Sequence, residues 1–185
     1  MAEIKGTTIQ SRLEHIRDNY GREKESEAVS LLKKKFGNDA GGIILPMSWY
    51  ALAMDDSLCL YIKELSGLPG ESAYQELGRR SAASHMKFFK VALGAAKTPC
   101  EVIEKMPILH KSYVRGFGEM IVSESSPNHS ILKISGHRET FRSVCSSNVA
   151  YIAEMCGLIA GVKVRGSEPR CLCRRDTCCE YRFEW

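Results

Sequence analysis

The chain has 185 residues, 26 Lys and Arg against 22 Asp and Glu, and 44% hydrophobic residues. That length suits a single domain, 1–185, able to bury roughly 70% of its unfolded surface without needing a metal to fold. A net charge of +4 is far below that of a dedicated nucleic-acid binder, so no direct nucleic-acid partner is expected.

Met1-Ala-Glu-Ile-Lys-Gly6 lacks the apolar core of a signal peptide, and no stretch reaches the ~18 consecutive apolar residues of a membrane span. The expectation is a cytoplasmic protein with no membrane span. In a reducing compartment its eight cysteines favour metal or redox chemistry over structural disulfides.

Ile9, Leu13, Ile16 and Tyr20 recur at helical spacing until Gly21, which predicts a first helix. A second starts near Glu25 with Ala28, Val29, Leu32 and Phe36 on one side. Lys33-Lys34-Lys35 sits near its C-terminus, where cations suit the helix dipole, and reads as a solvated face. The turn cluster Gly37–Gly42 leads into an extended Ile43-Ile-Leu-Pro46 and then Trp49 and Tyr50. These aromatics are either core anchors or a pocket wall.

A helix through Leu58, Ile62 and Leu65 ends at Ser66-Gly67, and a long one follows from Ser72 to about Leu93. One stripe of it carries Tyr74, Leu77, Ser81, His85, Phe88 and Ala92. His85 is thus a core histidine or a donor to a cavity ligand. A short helix from Cys100 to Met106 precedes another opened by Pro107 that carries His110 and Tyr113.

From Gly116 the period changes to two. Phe117–Val122 and Ser130–Ser135 read as the strands of an antiparallel hairpin. A helix from about Arg138 to Cys156 buries Phe141, Cys145, Val149, Ile152 and Cys156. Gly161–Arg165 is expected as a third strand. Cys179–Trp185 is the fourth, with Cys179, Tyr181, Phe183 and Trp185 on one face. The expected class is α+β: an N-terminal helical half, then a four-stranded antiparallel sheet with a helix packed on it.

Half of the cysteines lie between Glu168 and Trp185. Thiolate sulfur is a soft donor, and four ligands closing a tetrahedron make a structural zinc site. Glu168, Cys171 and Cys179 form an E-x2-C-x7-C arrangement, with Cys145 the candidate for the fourth ligand. The alternative is a set of unrelated buried thiols, since free Cys behaves as a small hydrophobe.

The Gly116-Phe-Gly118 hairpin, the amphipathic helix after Gly136 and the ending Cys171-x7-Cys179-Glu-Tyr-Arg-Phe resemble the 4-vinyl reductase domain family. That family belongs to a superfamily with haem-based nitric-oxide sensors and Golgi transport-particle subunits. Gly6, Pro46-Met-Ser-Trp-Tyr50, Glu76-Leu-Gly-Arg79 and Trp185 resemble an uncharacterised paralogue family known from myxobacteria. The resemblance implies zinc held by Cys145, Glu168, Cys171 and Cys179, its charge offset by Arg170, Arg174 and Arg175. Strand alternation sends Cys178 to the face opposite Cys179 and leaves Cys173 and Cys178 as spectators, the alternative being a ligand set in which one of them replaces a member. The Tyr-x-Ser-x-Arg clamp of haem-binding relatives is absent, and the chain stops where phenol sensors of the 4-vinyl reductase domain family continue into output domains.

The function expected on this basis is a small-molecule sensor or regulatory module with no output domain of its own, binding a small hydrophobic or aromatic ligand. Trp49, His85, His110 and Tyr113 are the pocket candidates. A homodimer and an unidentified protein partner for output are expected. No Gly-rich dinucleotide fingerprint or acid–base pair argues for an enzyme. The alternatives are a lipid-holding adaptor like the Golgi subunits and an accessory role in tetrapyrrole vinyl reduction.

Overall fold

The structure, a computed structural model, describes residues 1–93, 96–139 and 141–185, without the side chains of residues 38, 39 and 87–92. Phe88 and Ala92 therefore lie outside the described side chains. The chain divides into two compact units, Met1–Ala73 and Tyr74–Trp185.

The first unit is built on three 15-residue helices, α1 (Gly6–Tyr20), α2 (Arg22–Phe36) and α3 (Leu52–Ser66). Their apolar stripes bury Ile9, Ile16, Ala28, Leu32, Leu52, Leu58 and Ile62. Two three-residue strands went unread in the sequence, β1 (Glu3–Lys5) and β2 (Trp49–Ala51). They pair antiparallel, Ile4 opposite Tyr50. Three residues are too few to show an alternating pattern. Inside this unit Arg12 Nε donates to Asp55 Oδ1 over 2.9 Å, both side chains almost fully buried.

The second unit runs α4 (Ser72–Leu93), α5 (Pro99–Tyr113), β3 (Val114–Arg115), β4 (Glu119–Ser125), β5 (His129–Ser135), α6 (Arg142–Ala160), β6 (Arg165–Arg170) and β7 (Cys179–Glu184). The four-stranded sheet has the order β4-β5-β7-β6 and every pairing is antiparallel. The α+β class read from the sequence is the one observed.

Three boundaries differ. The two short helices either side of Pro107 are one helix, α5. Thr98 and Glu101 form a capping box at its start, and Pro107 is carried inside, at the cost of the bond it would have donated to the Ile103 carbonyl. The helix placed at 138–156 runs from Arg142 to Ala160, passes through Gly157, and is capped by Gly161 in the left-handed region. The third strand consequently begins at Arg165, not Gly161. Its sequence Arg-Gly-Ser-Glu-Pro-Arg lacks an apolar pattern because it is a sheet edge, where a proline is tolerated.

The core of this unit lies between one sheet face and the helices. Leu132 and Ile134 of β5 with Cys179, Tyr181 and Phe183 of β7 meet Val149, Ile152 and Met155 of α6 and Val102, Ile103 and Met106 of α5. Among the described helices, α6 alone is long and apolar enough to cross a membrane by length and composition. Most of it is covered inside this core.

Candidate metal centre

Four ligand atoms converge at one end of that core: the Sγ atoms of Cys145, Cys171 and Cys179 and a carboxylate oxygen of Glu168 lie within 4.8 Å of one another. The three cysteines are fully buried and the Glu168 side chain nearly so. Each arrives for a local reason.

Cys145 is in the first turn of α6 and faces inward. Cys179 opens β7 on its core face, opposite Ile134. Glu168 and Cys171 are three residues apart, a spacing that puts two side chains on opposite faces of a regular strand. Here β6 slips against β7 between Ser167 and Arg170, so that Ser167 pairs with Arg182 but Arg170 with Glu180. This bulge contains Pro169 and supplies the extra residue that brings both side chains to the same side.

Beyond the bulge the chain turns tightly. The Cys171 carbonyl accepts from the Arg174 and Asp176 amides at 2.8 and 3.3 Å, and Asp176 Oδ2 accepts from the Cys171 amide at 2.7 Å. Arg175 takes a left-handed φ of 69°, unusual for a non-glycine residue. The turn thus holds Cys171 in place from both of its backbone groups.

Cys145 Sγ is 3.8 Å from Cys179 Sγ, and Cys179 Sγ is 3.9 Å from Cys171 Sγ. Both match the edge of a tetrahedral site, in which ligands about 2.3 Å from one centre are about 3.8 Å apart. Neither separation is a disulfide, and all eight cysteines are free.

Charge within the cluster is unevenly held. The Cys145 thiol shares a hydrogen bond with Cys179 and, with burial opposing and His137 assisting, holds the Cys179 thiol below its usual range. The same bond, together with burial, pushes Cys145 well up. Burial pushes Cys171 up to about 12. Burial also raises the Glu168 carboxyl, against the pull of Arg142. Glu168 Oε1 and the Tyr181 hydroxyl are buried with no hydrogen-bond partner nitrogen or oxygen. A cation at the centre would neutralise the thiolate and engage the unpaired carboxylate oxygen.

Two flanking residues escaped the sequence reading. Arg142, three positions before Cys145 and so on the same side of α6, binds Glu168 and reaches Cys171 Sγ at 3.5 Å. His137 follows Gly136 out of β5, packs on Phe117 with centroids 4.4 Å apart, and places Nε2 3.7 Å from Cys179 Sγ. Both are far in sequence from Glu168, Cys171 and Cys179, and no spacing rule marks them. Of the three arginines expected to offset charge, Arg174 approaches Glu168, whereas Arg170 and Arg175 are exposed on its flanks. Cys173 and Cys178 are half-buried and outside the converging group.

The pocket candidates are divided between the two units. Trp49 is in the first unit, half-buried beneath Lys5 Nζ at 3.9 Å. His85 is half-buried on α4 and meets Tyr151 edge-on at 5.9 Å. His110 is buried on α5, bonded to the backbone of Phe117 and Gly118, and burial lowers its proton affinity. Tyr113 ends α5, half-buried against the core. The cavity described in the second unit, about 150 Å³, is lined instead by Gln75, Arg79, Val149, Ala150, Glu154 and Val164, with Ala153 and Gly166.

No family model matches the chain, and no curated protein does. Solved structures do. An Fe(II) unliganded H-NOX protein from K. algicida shares 11% identity and a TM-score of 0.71, covering 98% of this chain and 96% of its own. An H-NOX protein from S. oneidensis in the Fe(II)NO ligation state gives 12% and 0.73, covering 98% of each chain. A third, from work on heme distortion in the H-NOX family, gives 13% and 0.66 over 98% and 95%.

These matches overturn two expectations. Membership of the 4-vinyl reductase domain family is not supported: it rested on the C-terminal half, whereas the matching folds extend through the N-terminal helices and are H-NOX proteins. Zinc as the cofactor is likewise overturned, since the cofactor named for these proteins is haem or its Fe(II). At these identities the likeness shows the fold alone, and that fold is of the H-NOX type.

Proposed function

We propose that the chain is a small-molecule-binding sensor or regulatory module, and that Cys145, Glu168, Cys171 and Cys179 hold one thiophilic metal ion. The observation that carries the metal site is the convergence of four ligand atoms within 4.8 Å of one another, with Cys179 Sγ at 3.8 and 3.9 Å from the other two sulfurs. With four protein ligands such a site has no open position for a substrate, so its role is a clamp joining β6 and β7 to α6. Sensing is supported by the H-NOX-type fold, whose solved members bind haem and, in one case, NO.

Haem itself was weighed against this chain's own side chains. Among the described residues of the second unit, His110 is bonded to backbone, His137 abuts Cys179, His129 is paired with Ser126 and Glu124, and His85 packs on Tyr151. None lines the described cavity, which is also below the roughly 300 Å³ at which ordinary ligand pockets begin. Among the described residues of the second unit this set does not fit an axial haem ligand.

The cavity instead suits a ligand of a few heavy atoms. Val149 is one helical turn beyond Cys145 on α6, and Gly166 is two residues before Glu168 on β6. The elements joined by the clamp are therefore the cavity's walls, and metal occupancy fixes their spacing. The homodimer and output partner are carried as further parts of this reading, for light scattering to test.

Metal analysis of the purified protein is expected to give about one thiophilic ion per chain, released by Cys145→Ala. A small-molecule thermal-shift screen is expected to find ligands whose effect disappears on chelation. A metal-free protein of unchanged stability, taking up no ion on titration, would overturn the clamp. A Soret band after haemin addition would overturn the exclusion of haem.

A further inference from the structure

The segment 41–48 presents apolar side chains to solvent from a fixed backbone. Ile43 is 87% exposed, Leu45 55% and Met47 72%, with exposed Pro46 among them. Exposed hydrophobics scattered singly need no explanation, but three within five residues form a patch. A mobile loop would bury such side chains by folding over.

This one is held open. Gln10 Nε2 donates to the Ile44 carbonyl at 2.7 Å, the Thr7 amide to Pro46 and the Gly6 amide to Ser48, both at 3.0 Å. Lys5 Nζ donates to the Met47 carbonyl at 2.7 Å, and the Leu45 amide to the Tyr50 hydroxyl at 2.8 Å. Gly6 permits the approach, because a Cβ there would stand 2.1 Å from the Leu45 carbonyl oxygen. Ile44, pointing inward, anchors the middle.

Cations flank the knob. Lys33 packs along Gly41, and the exposed Lys33-Lys34 pair ends α2 immediately before the segment. Lys5 lies at its base over the Trp49 ring. The unit as a whole carries a slight acidic excess, so this positive charge is local to the knob.

We propose that this knob is a peripheral docking site for an anionic lipid surface. Ile43, Leu45 and Met47 enter the boundary between headgroups and acyl chains, Trp49 lies at headgroup level, and Lys33 and Lys34 meet anionic headgroups. A second copy of the chain is a poorer occupant. A stable protein interface takes roughly 20–30 residues a side, and this patch offers a handful.

The test is co-sedimentation of the full chain with vesicles of phosphatidylcholine alone or with phosphatidylserine, using Trp185→Phe protein so that Trp49 is the only indole. Binding to the phosphatidylserine vesicles with a blue-shifted Trp49 emission is expected. Ile43→Ser/Leu45→Ser/Met47→Ser and, separately, Lys33→Glu/Lys34→Glu are each expected to weaken it at least tenfold while leaving the circular dichroism unchanged. Absence of wild-type binding in 0.1 M salt, or equal binding by the apolar triple variant, would overturn the proposal. So would a wild-type dimer that this variant dissolves, because the patch would then belong to a second copy.

Discussion

Each unit buries charge next to a cysteine, and the two do so differently. In the first, Arg12 meets Asp55 at 2.9 Å beside Cys59. Burial would lower the guanidinium's proton affinity, but Asp55 outweighs it and holds Arg12 raised, while burial pushes Cys59 up. That charge is balanced by residues of the unit itself. In the second, a carboxylate oxygen and a phenol are buried without a partner beside three thiols that lean chiefly on one another. The lesson is that a finished ion pair is a fold element, whereas an unfinished donor set is a place for something else.

The comparison breaks most visibly at Asp55. Asp55→Ala strands a buried guanidinium and is expected to cost about 3–5 kcal/mol, read by urea denaturation through Trp49 in the Trp185→Phe background. Arg12→Met/Asp55→Leu should recover most of that loss. If Asp55→Ala costs nothing, the two buried clusters are not different in kind.

Next is the ion. At a free concentration a hundredfold above its Kd, the bound metal should add about 2.7 kcal/mol, seen as a chelator-sensitive rise in the denaturation midpoint. Asp55→Ala should retain that rise and Cys179→Ala should lose it. Affinity should also fall with falling pH, because the raised Cys145 and Cys171 must give up protons to bind. Isothermal titration in buffers of different ionisation enthalpy would count those protons.

Gly78 tests packing apart from charge. A Cβ there would sit 2.2 Å from the Ser147 carbonyl oxygen where α4 crosses α6. Gly78→Ala should therefore destabilise the second unit by about 1–3 kcal/mol, with ion affinity changed little. Trp185 fluorescence in a Trp49→Phe background reports it.

The smallest effect is His110. Its folded proton affinity is lowered, mainly by burial, so the unfolded chain takes up a proton first as pH falls. The stability it contributes is present above the unfolded value near 6.5 and is lost as pH drops through the folded one. His110→Gln keeps a donor for the Phe117 and Gly118 carbonyls and should flatten this part of the stability–pH curve.

Much of the fold could be read from the chain because its long elements are strongly periodic. Ile9 to Tyr20, and Cys179 to Phe183 in alternation, each state their own partner surface. Edge strand β6 could not, since Arg-Gly-Ser-Glu-Pro-Arg faces solvent along most of its length. The cluster was legible through residue type and spacing at Glu168, Cys171 and Cys179. The long reach back to Cys145 required knowing which face of α6 is buried. Arg142 and His137 were invisible because their roles arise only when α6 and β5 meet the last hairpin. The ligand pocket was less legible: Trp49, His85, His110 and Tyr113 were chosen by chemistry, and chemistry alone does not place side chains around one space.

The bulge at Pro169 makes the cluster a matter of parity. Removing that one residue would restore a regular ladder in which Glu168 and Cys171 stand two apart and again share the core face, so the bulge and the extra residue compensate each other. Deletion of Pro169 should therefore leave both ligands facing the core, and both it and a two-residue insertion in the turn between Cys173 and Cys178 should be far milder for metal binding than loss of a cysteine. What the hairpin preserves is the common facing of two side chains, which a bulge supplies at one count of residues and a regular ladder at the next.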